Sequence, residues 1–162
     1  MKFIYLFIIL LVLSNQATAL KLTKFNHGLS YPWGMTWVNS DQLLITQKKS
    51  YEILLIDTLK NTSIKIDHDI PVDGREQGGL LDIISEGNNV WITCSIKKDY
   101  GYTTAVFRAK LENNKLVDSQ LIFEALPYIT NGRHFGSRMT IKDEYLYVSI
   151  GERGKGMIAQ DP

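Results

Sequence analysis

Three polar, glycine-containing segments hold the side chains of this chain best suited to chemistry: Glu76-Gln77-Gly78-Gly79-Leu80-Leu81-Asp82, Arg133-His134-Phe135-Gly136-Ser137-Arg138 and Gly151-Glu152-Arg153-Gly154-Lys155-Gly156. His134, flanked by Arg133 and Arg138, is of the type that takes protons near neutral pH and so fits a general base. It equally fits a structural loop histidine. Glu152, set between glycines directly after an apolar run, can orient a histidine or bind a cation, and also suits a solvated charged loop. Gly78 and Gly79 permit backbone conformations closed to other residues and close approach by a ligand. Gln77 beside them offers an amide to a polyhydroxylated substrate. The same residues also make a glycine turn in which Asp82 bonds the backbone. Residue type and spacing leave both readings open in each segment.

Other reactive types carry less. His27 lies in an entry segment, and His68 sits in Asp67-His68-Asp69, which lacks further ligands at metal-site spacing. Both are expected on the surface, and no metal site is expected in this chain. Cys94, the single cysteine, follows Val90-Trp91-Ile92-Thr93 and reads as a buried thiol with no disulfide partner. Trp33, Trp37 and Trp91 are expected to pack between sheets.

The elements that must position these loops are strands. β-branched and aromatic runs cover residues 43–46, 53–56, 80–84, 90–95, 103–109, 119–123, 138–141 and 145–150. Asn39-Ser40-Asp41, Gly87-Asn88-Asn89, Glu112-Asn113-Asn114 and Lys142-Asp143-Glu144 read as hairpin tips. A two-strand phrase recurs. Met35-Thr36-Trp37-Val38 precedes Leu43-Leu44-Ile45-Thr46, Asp82-Ile83-Ile84 precedes Val90-Trp91-Ile92-Thr93, and Arg138-Met139-Thr140-Ile141 precedes Leu146-Tyr147-Val148-Ser149. Leu43, Val90 and Leu146 stand 47 and 56 residues apart, near the period of four-stranded propeller blades, about 40 to 50 residues. The prediction is an all-β chain in which each phrase forms the inner strands of one blade and the polar loops border the central channel. Closed propellers hold about four to eight blades, and this length supplies about two to three, so the sequence is expected to be the N-terminal part of a longer chain.

Composition narrows the partners. The 162 residues carry 18 Lys and Arg against 17 Asp and Glu, a formal charge of +1 without any basic run. An electrostatic grip on nucleic acid or an anionic membrane is therefore not expected. Lys2, the apolar residues 3–13 and Ala17-Thr18-Ala19 form a signal peptide pattern over residues 1–19. The apolar run is shorter than the roughly 20 residues that span a bilayer. Cleavage after Ala19, a periplasmic or secreted location and no stable membrane anchor are the expectations.

Six motifs in order resemble the soluble PQQ-dependent sugar dehydrogenases, the glucose/sorbosone and aldose sugar dehydrogenase family: Pro32-Trp33-Gly34-Met35, Gln77-Gly78-Gly79-Leu80-Leu81-Asp82, Thr103-Thr104-Ala105-Val106, His134-Phe135-Gly136-Ser137-Arg138, Ser149-Ile150-Gly151-Glu152-Arg153-Gly154 and Ala159-Gln160-Asp161. The resemblance covers nearly all of the chain after residue 19. It implies a six-bladed β-propeller that holds pyrroloquinoline quinone (PQQ) over calcium and oxidises an aldose at the anomeric carbon to the lactone, passing electrons on to an external acceptor. By the same resemblance His134 is the catalytic base, Glu152 the acid paired with it, Gln77 and Gln160 contact substrate, and Arg138 lies near the cofactor or serves structure.

The chain departs from the family pattern in places. Glu152 stands where aspartate is usual, Gln47 where arginine is common, and Ser85-Glu86-Gly87 lacks the usual His-Pro turn. The family's calcium ligands and most of its quinone-binding residues fall beyond Pro162, so this stretch by itself is expected to be inactive. A non-catalytic secreted propeller that binds other proteins is the alternative. A sugar hydrolase is disfavoured, because no second carboxylate in these motifs pairs with Glu152.

Overall fold

Among the described residues ten strands form three sheets, each strand antiparallel to its neighbours within its sheet. A computed structural model describes residue 22 and residues 28–160. The expected leader over residues 1–19, its expected cleavage after Ala19, His27 and Asp161 lie outside the described residues. Strands β1 (Pro32–Trp37), β2 (Gln42–Gln47), β3 (Glu52–Asp57) and β4 (Thr62–Ile66) form one four-stranded meander. Strands β5 (Leu80–Glu86), β6 (Asn89–Lys98), β7 (Gly101–Glu112) and β8 (Lys115–Glu124) form a second. Strands β9 (Gly136–Lys142) and β10 (Tyr145–Ile150) pair as a hairpin, followed by a single 3-10 turn over Gly156–Gln160. There is no α-helix among the described residues, and none of their helical turns is long and apolar enough to cross a membrane.

All eight apolar runs of the sequence fall on strands, and the four predicted tips fall on the hairpins. At two of those tips the turn residues are consecutive left-handed pairs, Asn113 and Asn114 at φ 49° and 62° and Asp143 and Glu144 at φ 50° and 67°. That is the backbone twist that closes a two-residue hairpin. Strand β4 carries no apolar run, because it is the outer edge of its sheet and buries only Ile66. The first strands stand side by side, β1 against β5 and β5 against β9. The chain thus builds two propeller blades and the inner hairpin of a third, as the recurring phrase requires.

The first core lies between the two complete blades. Leu44, Ile53, Leu55 and Ile66 of the first meet Leu80, Ile83, Val90, Ile92 and Phe107 of the second. Cys94 belongs to this cluster and is wholly buried. Trp33 and Trp37 do not join it, being 41% and 56% exposed. Side chains alternate along a strand: Gly34 and Thr36 of β1 turn toward the second blade, which leaves the tryptophans on the opposite face. Trp33 is instead covered by the Lys48 ammonium, 3.8 Å from its ring centroid. Trp91 is half-buried. His68 is not a plain surface residue either. It is half-buried, with Nε2 2.8 Å from the Tyr51 carbonyl and Nδ1 buried without a partner.

One hydrogen-bond device recurs in all three blades. Each inner hairpin breaks its ladder at the same place on its first strand, between Pro32 and Met35, Leu80 and Ile83, and Gly136 and Met139. A bulge frees a backbone amide from the ladder, and a hydroxyl on the second strand accepts it. Gly34 N–H donates to Thr46 Oγ1 (2.9 Å), Asp82 N–H to Thr93 Oγ1 (2.8 Å) and Arg138 N–H to Ser149 Oγ (3.0 Å). Thr46 and Thr93 then donate across the blade boundary, to the Leu81 carbonyl (2.5 Å) and the Ser137 carbonyl (3.0 Å). The first blade is thereby keyed to the second, and the second to the third, at the second residue of the following inner strand.

Candidate active site

His134 lies on the connection into β9 with a left-handed backbone, φ 55°. Four contacts hold it there. Its amide donates to Gln77 Oε1 at 3.0 Å, and its carbonyl accepts Arg153 N–H at 3.2 Å. Its Nδ1 pairs with Glu152 Oε1. Gly151 packs so closely that a Cβ there would strike the His134 carbonyl, which accounts for a glycine before Glu152.

Glu152 is fixed in turn, because its Oε2 accepts Gly154 N–H at 2.6 Å. The hydrogen bond from His134, then that from Gly154, holds its carboxyl below the usual carboxylate range, so it is ionised at neutral pH. An ionised acceptor at Nδ1 requires the Nδ1–H tautomer. That leaves the Nε2 lone pair free on a side chain 54% exposed. The arrangement can accept a proton at Nε2 and stabilise the resulting imidazolium against the carboxylate.

The three polar segments therefore converge only in part. Gln77, His134 and Glu152 come together, with Gln77 N–H also bonding the Gly132 carbonyl at 2.8 Å. Gln160 does not join them. It is exposed in the 3-10 turn, and none of the described hydrogen bonds links it to the cluster. The two arginines beside His134 are spent on carboxylates: Arg133 Nε lies 3.5 Å from Glu76 Oε2, and Arg138 Nη1 lies 2.9 Å from Asp82 Oδ1. Arg138 Nη2 also donates to the Trp33 carbonyl at 3.1 Å, so this one side chain ties the third blade to both others. Gln47 is buried, accepting Ser30 N–H at 2.6 Å and donating to Glu52 Oε2 at 2.9 Å.

Two residues do more than the sequence suggested, Asp82 beyond bonding the backbone and Arg153 beyond filling its motif. Asp82 is 4% exposed and caps the start of the third blade, accepting Met139 N–H at 2.8 Å as well as the Arg138 guanidinium. The repeat contained this signal, since Asp82 and Arg138 occupy the same bulge position in successive phrases. Arg153, 2% exposed, donates to the Gly151 carbonyl (2.6 Å) and the Leu126 carbonyl (3.2 Å), bracing the loop behind Glu152. Burial lowers its proton affinity. No group of three or more metal-ligating side chains occurs among the described residues.

Comparison with known proteins gives the site its setting. The family model described as Glucose / Sorbosone dehydrogenase matches residues 29–162. An uncharacterised protein of Synechocystis sp. is 33% identical over 157 residues, covering 89% of this chain and 38% of that protein. The aldose sugar dehydrogenase YliI of Escherichia coli is 26% identical over 142 residues, covering 82% of this chain and 38% of its own length. Among solved structures, a glucose dehydrogenase superposes with a TM-score of 0.80 at 26% identity, over 87% of this chain and 44% of that one. The apo-form of the soluble aldose sugar dehydrogenase of E. coli superposes with a TM-score of 0.77 at 27% identity, over 86% of this chain and 43% of that one. The chain thus spans less than half the length of the relatives it matches, and along that span it belongs to the glucose/sorbosone dehydrogenase family.

Proposed function

We propose that the protein is an exported sugar dehydrogenase that oxidises an aldose at its anomeric carbon to the lactone, with His134 as the general base. The observation that carries this reading is the His134–Glu152 pair, which leaves Nε2 as a free acceptor. In the proposed step the anomeric hydroxyl gives its proton to Nε2, the C1–H electron pair leaves as hydride, and the C1–O bond becomes the lactone carbonyl. The hydride needs a two-electron acceptor, and the family resemblance names PQQ, bound with calcium and reoxidised by an external acceptor. The described residues hold no cluster of metal ligands, and the Arg138 guanidinium, which the resemblance placed near the cofactor or in a structural role, is engaged by Asp82 and Trp33. What this chain supplies is the proton-handling half of the reaction, and no step at the quinone is derived from it.

Gln77 has one role left in this scheme. Its Oε1 is committed to the His134 amide, so only its NH2 group remains to donate to a sugar hydroxyl. The position of Gln160 outside the cluster makes it a secondary contact at most. Export rests on the leader pattern over residues 1–19.

The test is incubation of the protein, as a whole propeller, with PQQ, calcium and a panel of aldoses, following lactone formation and dye reduction. Lactone from at least one aldose supports the reading. Saturable PQQ binding with no sugar oxidised would overturn it, and failure to take up the quinone at all would favour the binding-module alternative.

A further inference from the structure

The Thr103-Thr104-Ala105-Val106 motif has no part in the proton chemistry, yet Thr103 and Thr104 are wholly buried in β7. Thr104 stands directly opposite Ser95 of β6, so the two side chains share one face of the sheet. Ser95 is also wholly buried. Its Oγ accepts Gly79 N–H at 2.7 Å and donates to the Asp73 carbonyl, closing across the loop that bears Gln77. A Cβ at Gly78 would strike this hydroxyl, which gives the Gly78-Gly79 pair a reason besides ligand approach. Thr104 Oγ1 donates to the Phe135 carbonyl at 2.5 Å, one residue from His134.

The two loops then meet at a single side chain, where Gln77 Oε1 accepts the His134 amide. The His134 loop needs such support. His134, Gly136 and Ser137 have φ of 55°, 73° and 103°, and non-glycine residues persist there only when their surroundings hold them. We propose that Ser95 and Thr104 form a hydroxyl pair that sets the Gln77 loop against the His134 loop and so fixes the orientation of the imidazole. Both are positioning residues, and their catalytic meaning rests on the dehydrogenase reading above.

Amide hydrogen exchange on the full chain, read residue by residue with Thr104→Val, Thr104→Ser and Ser95→Ala, tests this. Thr104→Val keeps the shape and removes the hydroxyl, leaving the Phe135 carbonyl only the 3.3 Å bond from Gly151 N–H. The His134 amide should then exchange about tenfold faster, while Ile92 and Phe107 keep their rates, because losing a buried partner favours local opening. Thr104→Ser should restore the wild-type rate to within about twofold. Ser95→Ala should speed exchange at Gly79 and, through Gln77, at His134. In Thr104→Val the Glu152 carboxyl, followed by carbon NMR, should titrate closer to its ordinary range as the imidazole turns away.

The proposal is overturned if Thr104→Val leaves the His134 rate and the Glu152 titration unchanged, or speeds every amide alike. Neither readout involves turnover. A protein that fails to oxidise any aldose would remove the dehydrogenase reading and leave these outcomes intact.

Discussion

In the proposed reaction the charge on Glu152 governs how His134 works. An ionised carboxylate at Nδ1 both selects the tautomer and offsets the positive charge that appears when Nε2 takes a proton. Glu152→Gln removes that charge while keeping the shape, and should lower aldose turnover by about 10²-fold, the low end of general-base effects. Because the two residues act as a unit, His134→Ala combined with Glu152→Gln should be little worse than His134→Ala alone, a non-additivity read from a double-mutant cycle. Strictly additive losses would mean that the pair is not the working unit. Cys94 makes the opposite case at the same scale. Burial pushes its thiol up to about 12, so thiol reagents should leave the folded protein unlabelled and react only on unfolding. Fast labelling of the native state would contradict the core described between the blades. The contact between His134 and Glu152 was legible through the family resemblance and not through spacing, which left an ordinary loop role open for each. The use of Arg133 and Arg138 was not, since their carboxylate partners lie 57 and 56 residues away, at Glu76 and Asp82.

At the scale of the strands, the bulge and its hydroxyl carry the repeat. Thr93 satisfies the Asp82 amide and reaches the Ser137 carbonyl, so Thr93→Val strips two buried backbone groups of their partner at once. The expected cost is about 2 kcal/mol, measured by urea unfolding. Thr93→Ser, which keeps the hydroxyl, should cost less than half of that. Equal losses in the two variants would assign the effect to packing. The strand pattern itself was readable because β-branched runs and Asn or Asp tips agree over eight of the ten strands. Strand β4 was lost for want of an apolar run, and Trp33 and Trp37 occupy the face of β1 turned away from the second blade. Which face of β1 a residue occupies follows from the bulge at Gly34, and composition does not reveal that.

Across the molecule, several carboxylates act in one direction with pH. Glu52 is held below the usual range by its bond from Lys65, Asp57 by the Lys60 amide, Glu124 by Lys98 and Glu152 by His134. A carboxyl lowered in the folded state contributes stability that is complete above its ordinary titration range and is lost as pH falls through the lowered value. The urea midpoint should therefore be flat from about pH 7 to 5 and fall below about pH 4. The effect should be modest, since most of these pairs are exposed. A midpoint unchanged at about pH 2 would show that the pairs contribute nothing. The same scale sets the reach of the functional account. Two blades and the inner hairpin of a third carry the proposed base, while the cofactor's seat is sought in the other blades of the family's propeller. The measurement that bears most directly on the central claim is the rate of aldose oxidation by the PQQ- and calcium-loaded protein before and after His134→Ala. The account predicts a fall of about 10²- to 10⁴-fold with PQQ uptake unchanged, and an undiminished rate would show that His134 is not the base.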